Sequence, residues 1–151
     1  MQSTRRRAIK ITGALATLVS LGILTQAQAH AAVAQEGFQA KTLQDALKAL
    51  GARAVTSDQV TLVSPDFAEN GAAVAVSATS RLPNTTEMYF LVEKNPAPLS
   101  AAFIMPPGTE ADIQTRLKMA QSSRVLVVVK ADGKLYWASK ETKVTLGSCG
   151  G

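Results

Sequence analysis

The chain has 151 residues, 46% of them apolar and 18% charged, which is the size of one domain with a core and excludes wholesale disorder or a coiled coil. Its net charge of +5 is concentrated at the start, since four of the 16 basic residues precede Glu36, the first acid, and residues 35–151 hold 12 bases against 11 acids. This nearly neutral remainder argues against nucleic acid as a partner, and a single histidine and a single cysteine exclude metal sites built from clusters of these residues.

The first residues are typical of an export signal. Arg5, Arg6, Arg7 and Lys10 precede an apolar stretch, residues 11–25, that is too short to cross a bilayer comfortably as a helix. Small residues suited to cleavage follow, so we predict that residues 1–34 form a signal peptide cut at a site between 29 and 34. A retained membrane anchor is the alternative to cleavage.

The adjacent arginines are similar to those of a twin-arginine signal, which exports proteins already folded. An ordinary secretory signal with one extra arginine is the alternative. By either route we expect the mature protein to lie outside the cytoplasm, in the periplasm, without a membrane segment after processing. In that oxidising space thiols tend to pair.

The mature part of the chain, residues 35–146, is predicted to begin with a short helix. Thr42 can cap it, Asp45 stands three residues later, and Gly51 can end it. Its apolar residues recur at helical spacing on one face, and they are Leu43, Ala46, Leu47 and Leu50.

After Gly51 the apolar period changes to two, and turn residues such as Asn70-Gly71 and Asp132-Gly133 punctuate the chain. Eight strands are predicted, at Val60–Ser64, Ala73–Thr79, Glu87–Glu93, Leu99–Met105, Ala111–Met119, Arg124–Lys130, Lys134–Ser139 and Thr142–Leu146. Short strands at this spacing favour an all-β fold, an antiparallel sandwich of two sheets. The unbroken apolar run Val125–Val129 indicates a strand covered on both faces, by the second sheet inside and by the helix or a partner chain outside.

The chain does not have the residues of an enzyme. No Ser or Cys triad can be assembled without a suitably placed histidine, and the carboxylates do not form an acid and base pair. We therefore expect no catalysis by this chain alone, and neither a metal nor a cofactor.

The last five residues, Gly147, Ser148, Cys149, Gly150 and Gly151, are the predicted functional site. Glycines around a terminal cysteine offer nothing to pack, so we expect a flexible arm with an exposed thiol. An unpaired cysteine in an exported protein indicates either intermolecular pairing or a reactive thiol. Nothing in the sequence places a cation beside Cys149, so activation of the thiol must come from a partner's active site.

Several motifs resemble the SoxY family, the sulfur carriers of the periplasmic thiosulfate-oxidising Sox system. They are the arginine-rich leader, Pro65–Gly71, Lys94–Pro98, Thr115–Ala120 and the terminal segment Lys143–Gly151. The family tail is Gly-Gly-Cys-Gly-Gly, and in this chain Ser148 replaces the second glycine. A serine held at left-handed backbone angles would cost on the order of 1–2 kcal/mol and would stiffen the arm.

The resemblance implies an immunoglobulin-like sandwich with an N-terminal helix, bound to SoxZ as a heterodimer. A haem enzyme of the SoxAX type would join thiosulfate oxidatively to Cys149 as a cysteine S-thiosulfonate. SoxB would then release sulfate, and a sulfur dehydrogenase type enzyme would oxidise the remaining persulfide. Two exposed arms could also form a Cys149–Cys149 disulfide, which would remove carriers from use.

Two other functions remain open from the residues themselves. The first is a structural immunoglobulin-like interaction subunit whose terminal cysteine only cross-links it. The second is a persulfide carrier that works on another sulfur compound. The cargo found on Cys149 distinguishes these alternatives from thiosulfate carriage.

Overall fold

The structure, a computed structural model, describes residues 25–51 and 53–145. The predicted signal segment up to residue 24 and the predicted arm, residues 147–151, lie outside the described residues, and what was expected of them stays a prediction. The chain divides into two compact units, Met1–Gln35 and Glu36–Gly151.

A helix that the sequence analysis did not predict, α1 (Gln26–Gln39), opens the described chain. It begins with a reciprocal cap in which the Gln28 amide donates to Thr25 Oγ1 (3.2 Å) and the Thr25 amide donates to Gln28 Oε1 (3.0 Å). We expected the cleavage region here, and the capping pattern within it was overlooked. None of the helices in residues 25–51 and 53–145 has the length and apolar character needed to cross a lipid bilayer.

The second helix, α2 (Leu43–Leu50), is the one predicted from the sequence. Thr42 Oγ1 accepts a hydrogen bond from the Asp45 amide (3.1 Å), and Gly51 ends the helix with a φ of 136° that favours glycine. Ala46 and Leu50 are buried on the expected face. The predicted cap, face and end are therefore confirmed.

Nine strands follow in the described residues: β1 (Ala54–Thr56), β2 (Val60–Val63), β3 (Phe67–Ala68), β4 (Val74–Ser80), β5 (Thr85–Val92), β6 (Leu99–Ile104), β7 (Asp112–Leu117), β8 (Ser123–Ala131) and β9 (Lys134–Val144). The larger sheet has the order β1-β9-β8-β5-β6, with β3 as a sixth strand beside β9, and the smaller sheet has the order β2-β4-β7. Valines and other apolar residues from both sheets share one core, so the predicted all-β sandwich is confirmed.

Three details of the strand prediction were wrong. The last two predicted strands are one continuous strand, β9, because β8 pairs through the expected break and places Arg124 opposite Glu141. Neither β1 nor β3, which contains Phe67, is among the predicted strands. Both β1 and β3 run parallel to β9, so the sandwich is not purely antiparallel.

Strand β8 is buried on both faces, as its unbroken apolar run predicted. Val125, Val127 and Val129 point into the core between the sheets, and Leu126 and Val128 are buried on the opposite face. On that opposite face, Leu43 and Leu47 of α2 line a cavity of about 230 Å³ together with Leu126, Leu135 and Trp137. The sequence predicted that either the helix or a partner chain covers this face. Helix α2 does so over this part of the larger sheet.

Candidate functional site

The predicted site residues Gly147, Ser148, Cys149, Gly150 and Gly151 lie outside the described residues. The described chain reaches Thr145, four residues before the cysteine. What the structure shows of the site is therefore the segment that leads into it, residues 142–145, which we call the arm root.

Hydrogen bonds hold the backbone of the arm root on both sides. On the β3 side, the Lys143 amide donates to the Asp66 carbonyl (3.0 Å) and the Thr145 amide donates to the Ala68 carbonyl (3.1 Å). On the other side, Ser122 Oγ accepts from the Val144 amide (2.8 Å) and donates to the Val144 carbonyl (3.4 Å). The strand is thus fixed on both edges up to the last described residue.

A buried pair of hydroxyls connects the arm root to the smaller sheet. Thr142 Oγ1 donates its hydrogen to the Pro65 carbonyl (2.8 Å). In the bond between Ser64 Oγ and Thr142 Oγ1 (2.5 Å), the Ser64 hydroxyl is therefore the donor. Thr142 is fully buried and Ser64 nearly so. Both hydroxyls are therefore satisfied inside the protein, as buried polar groups must be.

We expect Thr142→Val to lower the free energy of unfolding by about 1–2 kcal/mol, because the Pro65 carbonyl and the Ser64 hydroxyl would lose a partner away from water. Urea denaturation measures the change. Thr61→Val, at an exposed position of β2, is the matched control and should leave the midpoint nearly unchanged. Equal effects of the two substitutions would show that the buried hydroxyls contribute nothing specific.

The motifs that resemble the family in sequence come together at the arm root. Asn95 donates from Nδ2 to the Lys118 carbonyl (2.6 Å) and accepts at Oδ1 from the Ala120 amide (3.0 Å). A hydrogen bond from the Met119 amide to the Gly71 carbonyl (2.6 Å) then joins the Thr115–Ala120 motif to the Pro65–Gly71 motif. Gly71 in turn lies against the Val144 side chain. These motifs therefore support the strand from which the arm leaves.

The surface beside the arm root carries an exposed aromatic ring and several charges. Phe67 pairs with Lys143 across the strands, is 66% exposed, and has the Lys143 ammonium 5.8 Å from its ring centroid. Lys140 Nζ lies 3.0 Å from the Asp66 carboxylate. Asp66 and Phe67 fall between the predicted strands Val60–Ser64 and Ala73–Thr79, because the parallel pairing of β3 with β9 has no local sequence signal.

A buried polar cluster was also missed. It lies on the face of the larger sheet that points away from the core between the sheets. The Tyr89 hydroxyl donates to Glu87 Oε2 (2.5 Å), and Lys130 Nζ lies 4.0 Å from Glu87 Oε1. Burial raises the pKa of Tyr89 above its usual value near 10, and the hydrogen bond and the charge of Glu87 raise it further. The hydroxyl therefore stays protonated, and because Tyr89 and Glu87 are almost fully buried the cluster serves packing rather than chemistry on a substrate.

Within the described part of the chain, no three His, Cys, Asp or Glu side chains come together as a metal site would require. Two basic side chains of the described residues, Arg116 and Arg124, lie on different sheets. Arg116 lies exposed on β7 of the smaller sheet, whereas Arg124 lies on β8 and pairs with Glu93 at 3.2 Å. The structure does not bring them together as an anion site.

The geometry of the arm root limits where the thiol can go. Four residues extend at most about 14 Å, so the Cys149 Cα lies within that distance of the Thr145 Cα. Any group that takes the Cys149 thiol must therefore approach the part of the molecule around Thr145, where β3 pairs with β9.

Comparisons with known proteins agree on one family. The family model described as "Sulfur oxidation protein SoxY" matches residues 46–149, a range that includes Cys149. The solved structure of the sulfur carrier protein SoxY from Chlorobium limicola f. thiosulfatophilum is 33% identical, with a TM-score of 0.63, over 73% of this chain and 97% of that one. No curated protein sequence matches the chain.

Other solved structures share the fold alone. Two variants of superoxide reductase (neelaredoxin) from Ignicoccus hospitalis are 18% and 19% identical, with TM-scores of 0.51 and 0.52. They cover 65% and 62% of this chain, and 87% and 83% of their own lengths. The family model and the Chlorobium structure, by contrast, agree in sequence as well as in fold, and the chain therefore belongs to the SoxY family of sulfur oxidation proteins.

Proposed function

We propose that this protein is a periplasmic sulfur carrier that holds thiosulfate-derived sulfur covalently on Cys149 and presents it to the enzymes of thiosulfate oxidation. The observation that carries the proposal is that the match to the SoxY family extends through Cys149, the one cysteine of the chain. The firmly paired arm root, which ends four residues before that cysteine, supports it. The protein bears the substrate, and its partners perform the catalysis.

The proposed loading step forms one sulfur–sulfur bond. The Cys149 thiolate joins the outer sulfur of thiosulfate, two electrons pass to a haem enzyme of the SoxAX type, and the thiol proton goes to solvent. Hydrolysis by SoxB then adds water to the terminal sulfonate and releases sulfate and two protons, which leaves a cysteine persulfide. Oxidation of that persulfide by a sulfur dehydrogenase type enzyme prepares further release of sulfate.

The expected partners and location follow from the same proposal. SoxZ would bind this chain as a heterodimer, and the pair would leave the cytoplasm already folded under the twin-arginine-type signal in residues 1–34. The mature carrier would then be residues 35–146 with the arm 147–151, and it would need no metal or cofactor of its own. In the oxidising periplasm a Cys149–Cys149 disulfide between two carriers would be the resting or inactive form.

Intact-mass measurement of the reduced carrier tests the proposal. Incubation with thiosulfate and the haem enzyme should add the mass of a thiosulfonate, and later addition of SoxB should leave the mass of one extra sulfur. A carrier that stays unmodified with thiosulfate but is loaded by another sulfur donor would instead support persulfide carriage. A carrier that is never modified would support the structural, cross-linking role.

The serine before Cys149 provides a prediction about the arm. We expect Ser148→Gly to preserve the kcat/KM of enzymatic loading or to raise it by up to about tenfold, because glycine enters left-handed backbone angles without the cost, on the order of 1–2 kcal/mol, that a serine would carry there. Steady-state loading assays with the haem enzyme measure it.

Ser148→Ala is the matched control for this change. Alanine keeps the backbone restriction and lacks the hydroxyl, so it should load at the rate of the parent protein. A marked loss of loading in both variants would show that the hydroxyl itself takes part in the reaction, contrary to this account.

A further inference from the structure

We infer that Phe67 and Lys143 form the docking contact for the enzymes that take Cys149 into their active sites, and that these enzymes share an apolar pocket bordered by carboxylates. This inference rests on the proposed carrier function and names the surface through which it operates. The docking patch consists of Phe67 and Lys143, with the ion pair of Asp66 and Lys140 beside them.

Distance is the first argument for the patch. Phe67 lies across one strand spacing from Lys143, which is two residues before Thr145, so its Cα is about 8 Å from that of Thr145. The arm spans at most about 14 Å from Thr145 to Cys149, and part of that length is used inside the slot that the thiol enters. The entrance of that slot must therefore lie less than about 14 Å from Thr145.

A protein interface of ordinary size that is centred on the arm root would cover Phe67. A specific interface covers roughly 800 Å² on each partner, which is a disc with a radius of about 16 Å. A disc centred near Thr145 includes Phe67, whose ring is 66% exposed, more than any other large apolar side chain in the described residues. Exposed aromatic residues near the centre of an interface are typical binding hot spots.

Charge indicates the chemistry of the partner. Lys143 is exposed, and among the described residues it contacts the Phe67 ring rather than a carboxylate. The neighbouring Lys140 already has Asp66 as its partner at 3.0 Å. An apolar pocket with carboxylates around its border would therefore bind both the Phe67 ring and the Lys143 ammonium. The positive charge of Lys143 would also raise the rate of encounter with such a surface.

The test is enzymatic loading of the carrier in complex with its SoxZ partner subunit. We expect Phe67→Ala to raise the KM of the haem enzyme for the carrier about 10- to 30-fold with kcat nearly unchanged, because the substitution weakens docking and leaves the thiol intact. Phe67→Leu should recover part of the loss. Lys143→Glu should raise KM by a similar factor and reverse the dependence of loading on salt.

Val55→Ala is the matched control, since Val55 is an exposed apolar residue that pairs near the other end of β9. It should load like the parent protein. Chemical loading with tetrathionate, in which the thiolate takes one thiosulfate group and releases the other as free thiosulfate, should proceed equally in every variant that keeps Cys149.

The outcomes separate this inference from the proposed function. A parent carrier that tetrathionate modifies but the enzymes never load or process would contradict the carrier function itself. Normal loading of Phe67→Ala beside a functioning parent carrier would overturn only the docking patch. Loss of the SoxZ complex in Phe67→Ala would also overturn it, because the ring would then belong to the subunit interface.

Discussion

Cys149→Ser is expected to abolish thiosulfate-dependent turnover in a reconstituted system of carrier, haem enzyme and SoxB. A serine hydroxyl cannot form the sulfur–sulfur bond on which the attached cargo depends, and the chain has no second cysteine to replace it. Turnover is measured as cytochrome reduction and sulfate release, and both should fall to the level seen without carrier. Tetrathionate should also leave the variant unmodified.

The folded body of the protein should be unaffected by this change, since Cys149 lies beyond the arm root that the hydrogen bonds hold. We therefore expect the variant to bind SoxZ and to unfold at the same urea concentration as the parent. Residual turnover well above the background without carrier would show that sulfur passes through another group, and the account would fail at its first step.

Gly71→Ala is expected to lower the free energy of unfolding by about 1–3 kcal/mol, the range for overpacking a filled site. A Cβ at this position would stand 2.5 Å from the Met119 carbonyl oxygen and 3.1 Å from Val144 Cγ1. The carbonyl belongs to a backbone segment held by its own hydrogen bonds, so it cannot move away at little cost. Urea denaturation measures the effect.

Ala72→Ser provides the control for Gly71→Ala, because it adds an atom to the exposed neighbouring residue. It should change the stability by less than about 0.5 kcal/mol, as surface substitutions usually do. If Gly71→Ala is equally mild, the segment from Gly71 to Met119 does not brace the arm root as tightly as the distances indicate.

Local patterns were sufficient to predict most of the fold. The cap at Thr42, the end at Gly51 and the buried run Val125–Val129 each follow from residues close together in sequence, and the structure confirms them. The strands that were missed or divided, β1, β3 and β9, depend on pairing between distant segments. Lys140 and Glu141 interrupt the local apolar pattern, but β8 supplies hydrogen-bonding partners throughout that region.

The sequence predicts the cysteine of the candidate site but not the contacts that support the arm root. Cys149 stands out because one thiol among glycines is chemically conspicuous, and its role remains a prediction. The support of the arm root by Asn95, Gly71 and Thr142 was not predictable, since their contacts join residues that are tens of positions apart. Phe67 was overlooked for the same reason.

The most direct test of the account is to locate the sulfur adduct on carrier isolated from cells that are oxidising thiosulfate. Cleavage after Lys143 releases the segment Val144–Gly151, which contains the single cysteine of the chain. Mass spectrometry of this peptide should show thiosulfonate and persulfide forms that disappear on treatment with a reducing agent. A peptide that is unmodified throughout active thiosulfate oxidation would contradict the central claim that Cys149 carries the sulfur.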